Sequence, residues 1–240
     1  MLRSLLTISI AALGIGLAGA STGSRATHAG SASAFELTSS GNVGRRGDDE
    51  REQTRKQLRL AESGTYISEI LRARDSSLAR WRDRRGVPLK VWIQPASSLN
   101  DWSVRFVYEV HNAFVAWDTL GLPLRFQIIA DSAKAHVHVN WIDCFAEPIS
   151  GRTRWARDEK YWITDASIIL AVHHRTGEIL EDDAMHAMAL HEIGHLLGLD
   201  HTKDPSSVMA PKVRVRSLSE ADRATARLLY TLPAGPVSDR

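Results

Sequence analysis

Residues 191–201 read His191-Glu192-Ile193-Gly194-His195-Leu196-Leu197-Gly198-Leu199-Asp200-His201. On a helix, residues four apart project from one face about one turn from each other, so the imidazoles of His191 and His195 can share a zinc ion. Glu192 lies beside the first ligand, within reach of a water on that metal. Gly198 can take a left-handed conformation, end the helix and turn the chain sharply, which returns His201 as a third ligand. Three nitrogens at about 2.0–2.1 Å leave a fourth tetrahedral position for water, the arrangement of a catalytic site. A purely structural zinc site would have no use for Glu192.

Working outward, the sequence upstream reads as an α/β (α+β) domain with a mixed, twisted sheet. Pro88 to Gln94 alternates Leu89, Val91 and Ile93 and predicts a strand, with Trp92 on a partly covered opposite face. Trp102 to Leu120 places Val107, Val110, Phe114 and Trp117 on one stripe before Gly121 and Pro123, which predicts a long helix. Further strands are expected at Leu124–Ala130, Ala135–Ile142, Gly151–Ala156 and Ala166–Val172, with Val137, Val139 and Trp141 alternating against His136, His138 and Asn140. After the histidine segment, Ser219 is placed to cap a C-terminal helix.

The chain has 240 residues, 30 Lys and Arg against 28 Asp and Glu, and a formal charge of +2, so nothing draws it toward nucleic acid. Its single cysteine, Cys144, excludes an intramolecular disulfide, a Cys-rich zinc module and an iron-sulfur cluster. A buried core thiol is the expectation for it, rather than a metal ligand. Met1 to Ala20 carries Arg3, an apolar run from Leu5 to Leu17 and the small pair Ala18 and Ala20, the pattern of a secretory signal cleaved after Ala20. That run is too short for a lasting membrane anchor. The expected home is extracellular or periplasmic, and so few cysteines suit a bacterial exported enzyme.

Residues 21–47 are poor in large apolar side chains and predict a flexible linker. Residues 48–86 are densely charged, yet Leu58, Tyr66, Ile67, Ile70, Leu71, Leu78 and Trp81 recur at helical spacings, with a break near Gly64. They predict a helical extension packed on the body, or a propeptide covering the site. The body is expected over 87–232, with a flexible tail over 233–240.

Ser207-Val208-Met209-Ala210-Pro211 follows His201, and with the zinc segment it resembles the metzincin clan, H-E-x-x-H-x-x-G-x-x-H followed by a methionine turn. Within that clan the chain is most similar to matrixins: Asp200-His201-Thr202 resembles their Asp-His-Ser, and Leu218-Ser219-x-x-Asp222 the start of their C-terminal helix. Val213 stands where those enzymes carry an aromatic residue, and no tyrosine follows Met209 as in astacin-like relatives. The resemblance implies a secreted zinc endopeptidase with His191, His195 and His201 as ligands and Glu192 as the catalytic base. It further implies Met209 as an apolar floor and Pro211 to Val213 as a wall of the pocket for the residue after the cut. Arg84-Arg85-Gly86-Val87-Pro88 resembles the latency region of vertebrate matrixins, but with arginine where their zinc-binding cysteine stands.

Secondary expectations complete the reading. His136, His138, His173 and His174 with Asp165 are candidates for a second, structural zinc, although exposed or hydrogen-bonded histidines are the default. Glu178, Glu181, Asp182 and Asp183 are candidates for calcium, or for a solvated loop at a helix N-terminus. His186 is expected to be structural. The edge strand Gly151–Ala156 is the candidate track for an extended protein or peptide substrate. The chain is expected to be a monomer, with no stable membrane insertion after signal cleavage. Alternatives are a non-catalytic zinc-binding protein that keeps the metzincin fold, and a zinc hydrolase of non-peptide amides.

Overall fold

In the computed structural model the described residues are Lys56 and residues 63–237. The expected signal at 1–20, the expected linker at 21–47, most of 48–62 and residues 238–240 lie outside them. A five-stranded mixed sheet carries the fold. Its strands are β2 (Leu89–Ile93), β3 (Phe126–Ile128), β4 (Val137–Ile142), β5 (Gly151–Arg157) and β6 (Ile163–Ala171), in the order β3-β2-β4-β6-β5. All neighbours are parallel except β5, which runs antiparallel to β6 at the sheet edge.

The alternation in β4 is obeyed: Val137, Val139 and Trp141 are buried, and His138 and Asn140 face partly outward. Such alternation follows from the period of two in a pleated strand. Helix α2 (Val104–Asp118) begins at Ser103, whose hydroxyl accepts from Arg105 N, and buries Phe106, Val110, Ala113, Phe114 and Trp117. Its partner is α3 (Asp182–Leu196), where every residue from Ala187 to Leu196 is buried. A helix covered on all sides is a central element of a core, so amphipathic periodicity is absent from it. Trp117 Nε1 donates to Leu190 O at 2.9 Å and ties the two helices together. Helix α4 (Glu220–Thr231) starts in a full capping box, with Ser219 and Asp222 each accepting from the other's backbone N–H.

Residues 63–86 depart from the expected extension. Only α1 (Ile67–Ala73) is helical; Asp75 and Ser76, at φ 50° and 57°, end it, and the chain continues through β1 (Ser77–Leu78). Tyr66, Ile67, Ile70, Leu78 and Trp81 belong to the main core cluster. These residues therefore share one core with the body that follows. The tail also departs from expectation, because β7 (Gly235–Pro236) pairs antiparallel with β1 and Val237 N donates to Ser76 O at 2.9 Å. Among the described residues no helix is long and apolar enough to cross a membrane.

Candidate metal centre

The ring nitrogens of His191, His195 and His201 lie within 4.8 Å of one another, and they form the one such cluster of three among the described residues. The Nε2 atoms of His191 and His195 are 3.0 Å apart. Tetrahedral ligands at 2.0–2.1 Å from a zinc would stand about 3.3 Å from each other, close to this separation. Two of the tautomers follow from geometry. His191 Nδ1 lies 2.5 Å from Val208 O and His195 Nδ1 lies 3.1 Å from Leu199 O. A carbonyl can only accept, so both Nδ1 atoms carry the proton and both Nε2 lone pairs are free.

Burial holds all three imidazoles below the ordinary histidine range, His191 well below it and His195 down to about 3. They are therefore neutral, as metal ligands must be. His201 Nε2 is buried without a hydrogen-bond partner. Unpaired buried polar atoms are costly and rare in native proteins, so this orphan fits a metal-binding role. The residues present suit zinc in donor type, protonation and number.

Glu192 is fully buried next to them. Its Oε2 accepts from Thr153 Oγ1 at 2.6 Å, while Oε1 has no partner. Burial pushes its carboxyl up to about 8, against the opposing pull of the Thr153 hydrogen bond and Arg152. Gly151, two residues before Thr153 on the same face of β5, is there for space: a Cβ would collide with the Glu192 carboxylate. Thr153 and Gly151 escaped the sequence reading as site residues, although the strand that carries them was singled out. Their only signal was a Gly-x-Thr at period two on that edge.

The methionine turn is held by a buried carboxylate. Asp222 accepts from Val208 N at 3.1 Å and from Tyr66 Oη at 3.1 Å, and pairs with the Ser207 hydroxyl. Since Val208 O orients His191, α4 reaches the first ligand through two steps. Met209 is buried, and a Cβ at Gly194 would collide with its Sδ, so the thioether packs against α3 between the first two histidines. At Gly198 the backbone has φ 99°, and a Cβ would also collide with Ala79 O. Glycine is required there on both counts. Beyond the turn, a cavity of about 360 Å³ is lined by Ala184, Ala187, Met188, Val213 and Val215. Val213 lines this cavity, whereas Pro211 is exposed and does not.

Other candidates disperse. His136 Nδ1 accepts from Lys90 N, His138 lies on Ser132 O, His173 sits between Asp143 and Asp101, and His174 pairs with Ser150. No second cluster of three such groups forms among the described residues. Asp182 pairs with Arg105 and Asp183 with Arg216, both in the first turn of α3, and no calcium cluster forms among the described residues. His186 pairs with Glu109, off the ligand set. Cys144 is exposed, contrary to the expectation of a core thiol, because β4 ends at Ile142 and the chain has left the sheet there.

The family model of matrixin matches residues 143–231. With the histidine cluster, this match is consistent with a matrixin-like metzincin and supports a zinc metallopeptidase type of function. No curated protein matches the chain.

Proposed function

We propose that the protein is a secreted zinc endopeptidase in which His191, His195 and His201 hold the metal and Glu192 is the general base. The observation that carries this reading is the pairing of three converging neutral imidazoles with a buried carboxylate whose Oε1 is free. Bound there, zinc would acidify a water and polarise the scissile carbonyl, and as an opposite charge it would favour the ionised form of Glu192. Glu192 takes the proton of the attacking water on Oε1 and delivers it to the departing amine. Thr153 keeps Oε2 from turning away during both transfers. The substrate lies extended along the open side of β5, adding a strand to the sheet edge. Its side chain after the cut enters the cavity beside Val213.

Casein or peptide cleavage by the purified chain, with metal content measured in parallel, tests this. A chelator is expected to abolish cleavage. Glu192→Gln keeps the size of the side chain but cannot accept the proton, so cleavage falls by at least ~10²-fold with zinc near one equivalent. Retention of more than about a tenth of the activity in that zinc-loaded variant would overturn the mechanism.

A further inference from the structure

Resting on the zinc reading above, we propose that α1 and its C-cap are a positioning element for the third ligand. Glu69 and Arg74 grip the chain on either side of His201 and thereby set how tightly the metal is held. His191 and His195 sit on a packed helix and are placed by its geometry. His201 lies beyond the Gly198 turn, where no helix or strand holds it.

Arg74 uses all three guanidinium nitrogens on the approach to His201. Nε donates to Asp200 Oδ2 at 3.0 Å, Nη1 to Gly198 O at 2.9 Å and Nη2 to Leu199 O at 3.0 Å. Glu69 holds the departure: Oε1 accepts from Thr202 Oγ1 at 3.0 Å and Oε2 from Lys203 N at 3.0 Å. Five hydrogen bonds from one short helix and its C-cap thus engage residues 198, 199, 200, 202 and 203 and leave His201 Nε2 unpaired. A covering propeptide would place polar groups on the ligand nitrogens. These contacts go instead to the backbone and side chains that flank the ligand.

The clamp is anchored to the same body as the other ligands. Ile67 and Ile70 are in the core, and Tyr66 N donates to Thr225 Oγ1 of α4 at 3.0 Å. The Arg74–Asp200 pair is almost buried, with side-chain exposures of 14% and 15%. It is neutral overall, so its charges largely cancel at a nearby cation, and its effect on metal is one of geometry. A fork that contacts two carbonyls and a carboxylate is specific to arginine.

Zinc competition against a chromophoric chelator, run on the full chain beside thermal melts of the zinc-stripped protein, tests the clamp. Partners that orient a ligand typically contribute 10- to 100-fold in metal affinity, so Arg74→Gln and Glu69→Gln are each expected to weaken zinc by at least ~10-fold. Arg74→Lys, which keeps the Asp200 pair and loses the two carbonyl contacts, is expected to fall between. Leu89→Ala, on β2 and outside the clamp, lowers the melting temperature by lost burial and serves as the control; its zinc affinity should stay within about twofold of the unaltered chain. If Glu69→Gln and Arg74→Lys fold and bind zinc as tightly as the Leu89→Ala chain, the clamp is refuted. Should Arg74→Gln fail to fold, those two variants carry the test alone. Absence of stoichiometric zinc from the unaltered chain would instead overturn the metal-centre reading itself.

Discussion

Thr153 Oγ1 lies 2.6 Å from Glu192 Oε2, linking the edge strand to the central helix across 39 residues of sequence. A hydroxyl has one proton to give, and the Glu192 carbonyl at 2.9 Å competes for it. The carboxylate is the better acceptor, so one oxygen is engaged and the other is left for chemistry.

Thr153→Val preserves shape and removes that proton. Leaving Oε2 unpaired lets the carboxylate turn, so kcat is expected to fall by roughly 10- to 100-fold at unchanged zinc content. Thr153→Ser should recover most of the loss. Steady-state kinetics with metal analysis decides it, and a Val variant with unaltered kcat would show that Thr153 is only a packing residue.

Gly194→Ala forces a methyl group against Met209 Sδ. Overpacking of this kind costs about 1–3 kcal/mol, measurable by urea denaturation of the zinc-loaded chain. A variant as stable as the parent would mean that the thioether can move away freely.

A chain starting at Pro88 should not fold. It would lack Ile67, Ile70, Leu78 and Trp81, all buried to 1% exposure or less. At about 1.5–3 kcal/mol each, their burial sums to roughly 6–12 kcal/mol, comparable to the whole stability of a typical domain at about 5–15 kcal/mol. Circular dichroism of that fragment, beside a chain starting at Gly64, makes the comparison. A cooperative melt from the shorter fragment would refute it.

His173 gives a pH dependence. Burial opposes its charge, but hydrogen bonds to Asp101 at 3.1 Å and Asp143 at 2.8 Å outweigh this and raise its pKa. A folded-state pKa above the unfolded value means stabilisation that is complete below about pH 6.5 and is lost as the pH rises through the raised value. The stability difference between the parent and His173→Gln is therefore expected to shrink from acid toward alkaline pH. A difference independent of pH would show that the imidazole is neutral throughout.

The zinc segment was legible in the sequence because its logic is local. Helical periodicity alone sets His191 and His195 on one face, and Gly198 announces the turn whatever surrounds it. The β4 alternation and the Ser219 cap are equally local, since each depends on residues within a few positions. Tertiary structure decided everything that depends on which distant segments meet. Arg74 reaches Gly198 O across 124 residues, and Thr153 reaches Glu192 across 39. Neither pairing has a periodicity to announce it, and Arg74 sits in a run of charges where most side chains face water. The same reason explains Cys144 and the scattered histidines His136, His138, His173 and His174. Residue type says what a side chain can do, and only packing decides whether it is covered and what it meets.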